Sequence, residues 1–173
     1  MPSAVIVRAT LPNGLARLRR RRVGNAADGV PAHLTLLHPF IEPDALDLAV
    51  RRRLADIARR HAPFAYRQVR MAEWPDAVYV AVDPTEPFKR LHRDLQAEFP
   101  EWPIYGGTTA AFEFEPHITV ADRVGKAEPD VRAARGWRAL PRQARANAIE
   151  VIATGPDRRW GLVWRIRLGS AAR

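Results

Sequence analysis

The chain has no cysteine, two lysines (Lys89 and Lys126), two serines (Ser3 and Ser170), and no apolar run approaching 18 residues. Each scarcity removes a class of function. Without cysteine there are no disulfides, thiolate nucleophiles or zinc-thiolate sites, and the composition suits a reducing compartment. With both serines near the termini, a Ser-His-Asp triad is a poor fit. The lack of a long apolar run leaves no candidate membrane span, and the opening MPSAVIVRAT has neither the basic region nor the longer apolar stretch of a secretory signal. The protein is therefore expected in the cytoplasm, off the membrane and as a monomer.

What is present suits one globular domain. The 173 residues are 47% apolar, and the formal net charge is +9. That charge implies an anionic partner, nucleic acid first and an acidic membrane surface second. All but two of the 28 basic residues are arginine, a bias that GC-rich coding also produces.

Hydrophobic periodicity orders the elements. AVIVRA reads as a strand, and LPNGLARLRRRRV (11–23) as a helix with Leu15, Leu18 and Val23 inward. Its four arginines, Arg19 to Arg22, are either a solvated helix face or a phosphate-contacting rim. AHLTLL reads as a strand and 44–62 as a helix, with Leu46, Val50, Leu54, Ile57 and His61 at helical spacing. FAYRQVRM and AVYVAVD follow as strands, PFKRLHRDLQAEF as a helix, PHITVAD as a strand and DVRAARGWRAL as a helix. The β-rich segments ARANAIEVIATG and RRWGLVWRIRLG close the chain.

One pattern occurs twice: His33-Leu34-Thr35-Leu36 and His117-Ile118-Thr119-Val120. Five histidines and seven threonines in this length predict about 0.2 His-x-Thr triplets, and requiring apolar neighbours lowers that to about 0.04. Two copies are not an accident of composition. Each leads through Glu-Pro-Asp (42–44 and 128–130) toward a helix, at sequence offsets of 84 and 86. The chain reads as an internal duplication, with repeats at about 30–100 and 114–170 inside one bilobal domain spanning 1–173.

Alternation in a strand puts His33 and Thr35 on one face and Leu34 and Leu36 on the other, and the second motif repeats this. Two imidazoles and two hydroxyls lining one cleft suit an in-line displacement at phosphorus. One histidine takes a proton from the attacking oxygen, the other gives one to the departing oxygen, and the threonines donate to the non-bridging oxygens. A zinc centre needs three or four clustered ligands, and no His-Glu-x-x-His cluster occurs, so neither metal nor cofactor is expected. Taken singly, a strand histidine or threonine is more often structural.

At these residues the chain resembles the 2H phosphoesterases, which include the bacterial and archaeal 2′-5′ RNA ligases and the plant and fungal cyclic phosphodiesterases. The similarity covers most of the chain in element order and extends to Gly29-Val30-Pro31-Ala32 before the first motif and Pro39-Phe40 after it. The resemblance implies an α+β bilobal fold, two antiparallel sheets with outer helices in pseudo-two-fold relation. The cleft between them would carry both motif strands. It also implies metal-independent hydrolysis of 2′,3′-cyclic phosphates to 2′-phosphates, and in some members reversible 2′-5′ joining, with His33, Thr35, His117 and Thr119 as catalytic residues. The partner would be RNA or a nucleotide with a cyclic phosphate or 2′-5′ linkage. Some relatives carry an arginine five positions after the second histidine; here that position is Asp122 and Arg123 follows, where alternation returns it to the cleft face. Tyr105, with Trp102 and Phe112 in the same loop, is a candidate for stacking a base. His38 reads as structural. The competing readings are a non-catalytic RNA-binding module that keeps the cleft, and a phosphodiesterase of a small cyclic nucleotide.

Overall fold

The computed structural model describes residues 3–107, 113–122 and 140–169. These form two four-stranded antiparallel sheets with three α-helices. The strands are β1 (Ser3–Arg8), β2 (His33–Leu37), β3 (Phe64–Glu73), β4 (Ala77–Asp83), β5 (His117–Asp122), β6 (Arg142–Ala146), β7 (Ala148–Thr154) and β8 (Trp160–Arg167). The helices are α1 (Asn13–Arg22), α2 (Leu48–Arg60) and α3 (Glu86–Glu98). One sheet runs β2-β1-β7-β8 and the other β5-β4-β3-β6, so each motif strand is an outer strand of its own sheet. Among the described residues, no helix is long and apolar enough to cross a membrane.

The central strands explain their own sequences. In β1, Val5 and Val7 enter the main core, while Ala4 and Ile6 join Val30 and Ile152 in a smaller cluster on the other face, so both faces of the strand are covered. A strand buried on both faces needs a continuous apolar run, and SAVIVR supplies it. In β4, Val78, Val80 and Val82 face the core. The segment 144–155, one β-rich stretch in the sequence, is divided at Asn147: β6 closes one sheet and β7 lies inside the other.

The helices bury one stripe each. On α3, Phe88, Leu91 and Leu95 are buried, and Phe88 meets Phe64 and Tyr66 edge-on at centroid distances of 4.8 and 5.1 Å. On α2, Leu54, Ile57 and Ala58 are buried. The helix expected over 44–62 begins later, because the Asp47 carboxylate caps it by accepting from the Val50 N–H at 2.8 Å, while Pro43–Ala45 forms a separate 3-10 turn. His61 ends the helix and pairs with Asp94 at 2.8 Å instead of extending the apolar stripe. The helix read over 130–140 lies outside the described residues.

Two sheet-helix contacts lie beneath the motifs: α3 packs on β2, and α1 on β5. Leu34, Leu36, Ile118 and Val120 are fully buried there in one continuous core. Gly29, at φ +103°, brings the chain into β2 so close to β8 that a Cβ would stand 2.8 Å from the Trp160 carbonyl oxygen.

Truncating a core aromatic is expected to cost far more than truncating a surface aliphatic. Phe88→Ala should lower unfolding free energy by about 3–5 kcal/mol, and Leu48→Ala, at a position 63% exposed, by less than about 0.5. Urea unfolding of the two variants beside the parent measures both.

Candidate functional site

β2 and β5 show the same burial alternation: His33 and Thr35, like His117 and Thr119, are half-buried, whereas the intervening aliphatics are fully buried. The two strands contact each other where the sheets meet. Their imidazoles are close enough for positive charge on His117 to disfavour protonation of His33. The sequence-predicted quartet is thus carried by adjoining strands, with its aliphatic anchors in a common core.

Both imidazoles are oriented by the same local device. The His33 Nδ1 lies 2.7 Å from the Pro31 carbonyl oxygen, and the His117 Nδ1 lies 2.7 Å from that of Glu115. A carbonyl only accepts, so each Nδ1 carries the proton and donates it. The neutral tautomer of each ring therefore leaves Nε2 as the basic nitrogen. For His33, Nε2 is 3.1 Å from the Thr35 hydroxyl oxygen, which donates to it, and the Tyr105 hydroxyl bonds to Thr35 in turn.

The electrostatics favour neutral rings. Burial chiefly, with Arg19, His117 and His38 adding unfavourable positive charge, pushes the His33 imidazole down to about 4 against the opposing bond to Pro31. Burial likewise lowers His117, offset by its bond to Glu115. Arg19 is itself buried. Its Nη1 donates to the Val30 carbonyl at 2.9 Å, and desolvation brings its pKa down to about 10 although the Asp122 carboxylate opposes the shift. The Asp122 Oδ1 also accepts from the Gly24 N–H at 3.3 Å, tying the end of β5 to the end of α1.

The remaining expectations divide. Tyr105 joins the first motif through Thr35 and through its N–H, which donates to the His38 carbonyl at 2.5 Å; it is held at φ +52° before Gly106 and Gly107, both also at positive φ. Trp102 packs edge-on to Phe40 at 6.4 Å, which makes it part of the packing beneath the site. Phe112 and Arg123 lie outside the described residues. His38, expected to be structural, has its Nδ1 3.4 Å from the Ser3 carbonyl and its ring centroid 6.2 Å from that of Trp160, and it lies close enough to His33 to act on its protonation. The arginine run splits, with Arg19 buried and Arg20 and Arg21 exposed, so neither a wholly solvated face nor a uniform rim describes it.

Sequence reasoning assigned no role to Trp74, yet its ring meets His117 edge-on at 4.5 Å, and Tyr79 meets the same imidazole at 5.3 Å. These aromatics form a wall beside the second motif, with Tyr79 buried and Trp74 partly exposed. Tyr79 is placed there by the pairing of β4 with β5, which sets it opposite Thr119. For Trp74, at the β3-β4 turn, local sequence held no signal of this contact. Among the described residues, no three of His, Cys, Asp and Glu gather as a metal-ligand cluster.

The family model described as the 2′-5′ RNA ligase superfamily matches residues 7–158. A Bacillus pumilus protein, provisionally named a phosphoesterase, is 29% identical over 102 residues, covering 57% of this chain and 56% of that relative; the chain spans little more than half its length. Among solved structures, TT0787 of Thermus thermophilus superimposes with a TM-score of 0.61 at 21% identity, covering 99% of this chain and 100% of that one. Escherichia coli LigT complexed with 3′-AMP superimposes with a TM-score of 0.59 at 17% identity, covering 96% and 97%. These likenesses show the fold, two facing antiparallel sheets in an α+β arrangement.

The lowered His33 pKa has a definite sign. A ring whose folded value lies below the unfolded value of about 6.5 contributes stability above pH 6.5 that is lost as pH falls toward 4. Imidazole NMR titration should show the Nδ1–H tautomer in both rings at neutral pH and a His33 midpoint below about 5. Arg19→Met should raise that midpoint part of the way toward 6.5, because burial, the larger cause, remains. A parent midpoint near 6.5 would contradict this picture of the site.

Proposed function

Because the chain belongs to the 2′-5′ RNA ligase superfamily, we propose that it is a metal-independent phosphoesterase hydrolysing a 2′,3′-cyclic phosphate, or acting on a 2′-5′ linkage, of RNA or a nucleotide. The observation that carries the reading is the matched pair of histidines on adjoining outer strands, each with Nδ1 anchored to a carbonyl two residues back and Nε2 left for chemistry. The LigT structures complexed with 3′-AMP, ATP and NADP+ support a nucleotide as the ligand class, as does the net charge of +9.

The roles follow from the charges. His33, the ring whose protonation the buried Arg19 guanidinium opposes, is the general base. Its Nε2 takes a proton from water as the water oxygen bonds to phosphorus. The bond from phosphorus to O3′ breaks on the opposite side, and His117, protonated as the anionic substrate arrives, gives its proton to O3′. The product is a 2′-phosphate with a free 3′-hydroxyl. Thr35 and Thr119 donate to the non-bridging oxygens, the Thr35 hydrogen bond turning from His33 to phosphate as that ring takes its proton. With a 5′-hydroxyl in place of water the same steps join a 2′-5′ linkage, and their reversal cleaves that linkage back to the cyclic phosphate and the 5′-hydroxyl. The shared outer-strand position of β2 and β5 also supports descent of the two halves from one duplicated unit within a single bilobal domain.

The test offers the protein three substrates in the presence of chelator: RNA ending in a 2′,3′-cyclic phosphate, the corresponding cyclic mononucleotide and a 2′-5′ dinucleotide. His33→Ala and His117→Ala are each expected to lose about 10² to 10⁴ in turnover with the fold retained, and Thr35→Ala and Thr119→Ala less. Parent-level turnover in both histidine variants would remove the mechanism. Tight RNA binding with no turnover by the parent would favour a binding module instead.

A further inference from the structure

The face of the first sheet that carries His33 continues past it as a charged row. Arg8 of β1 is the direct cross-strand partner of His33, and Ile6 is that of both Thr35 on β2 and Glu150 on β7. Glu150 in turn pairs with Arg165 of β8. Cross-strand partners share a face, so His33, Arg8, Glu150 and Arg165 all lie on the same side of the sheet.

Glu150 is unusual in being 2% exposed. A buried carboxylate requires compensation, and the Arg8 Nε supplies it at 2.8 Å from Oε2, with the Arg165 Nε 3.8 Å from Oε1. Two guanidiniums around one carboxylate leave an excess positive charge. Arg8 is 46% exposed, and with Nε committed to Glu150 its two Nη groups remain as a donor pair matched to a phosphate. Strand order fixes the direction in which it is held. Glu150 stands on β7, beyond β1 from β2, so the ion pair draws Arg8 along the sheet away from the histidine.

We propose that Arg8, positioned by Glu150, binds a second phosphate of the substrate, next to the reacting one, so that the preferred ligand is an oligonucleotide end and not a cyclic mononucleotide. This rests on the reading that a nucleotide phosphate occupies the cleft between His33 and His117. It adds a length selectivity that the motif residues do not supply.

Binding without turnover tests it. Calorimetry would compare a 2′-deoxy dinucleotide 3′-phosphate, which carries an internucleotide phosphate, with a 2′-deoxymononucleotide 3′-phosphate, which does not. The parent should bind the dinucleotide more tightly by about tenfold or more, and Arg8→Ala should bring that ratio close to one, as expected for loss of a partly exposed charge-assisted contact. Arg8→Gln, which can still donate to Glu150, should lose the preference as well while melting near the parent. An unchanged ratio in the variants, an equal loss for both ligands, or no dinucleotide preference in the parent would overturn the assignment. A parent that shows the preference but hydrolyses no cyclic phosphate would defeat the catalytic reading and leave this one standing.

Discussion

A β-strand turns successive side chains to opposite faces, and at β2 and β5 that period decides what is core and what is site. Leu34, Leu36, Ile118 and Val120 are all without solvent exposure. Burying each is worth about 1.5–3 kcal/mol, so a one-residue slip of either strand would expose two aliphatics and bury a histidine and a threonine in their place. The register of the polar residues is thereby fixed by the apolar ones. Because the strands are outer members of different sheets and meet each other, the same constraint brings two separate stretches of sequence side by side.

What the strands position, the backbone and the surrounding charges tune. Each Nδ1 donates to a carbonyl two residues earlier, which leaves Nε2 as the basic nitrogen in both rings. Desolvation then lowers both imidazoles, and Arg19 adds a buried positive charge on the first motif alone. Two chemically identical residues in similar strands thus stand in different electrostatic surroundings, the buried Arg19 charge acting on His33.

Much of this was legible in the sequence because it is local. Alternating and continuous apolar runs located the strands, and AVYVAVD matches β4 residue for residue. The repeated His-x-Thr pattern located two strands with matching burial alternation because its spacing coincides with the strand period. Features that depend on pairing between distant strands were not legible. Trp74 reaches His117 only because β3, β4 and β5 are adjacent, and Glu150 meets Arg8 from 142 positions away. The division of 144–155 was hidden for a related reason: the residues on both sides of Asn147 favour strand, and only the tertiary structure sends them to different sheets. Arg19 looked like its three neighbours, since burial of one arginine in four depends on the fit of α1 against β5.

The central claim is that His33 and His117 act as one unit in a single displacement. The most direct test compares kcat/KM on a 2′,3′-cyclic phosphate for His33→Ala, for His117→Ala and for the double variant. Residues that serve one transition state together lose nearly everything with the first removal. The account predicts a double variant within a few-fold of the worse single variant. Losses that multiply, with each histidine contributing independently, would contradict it.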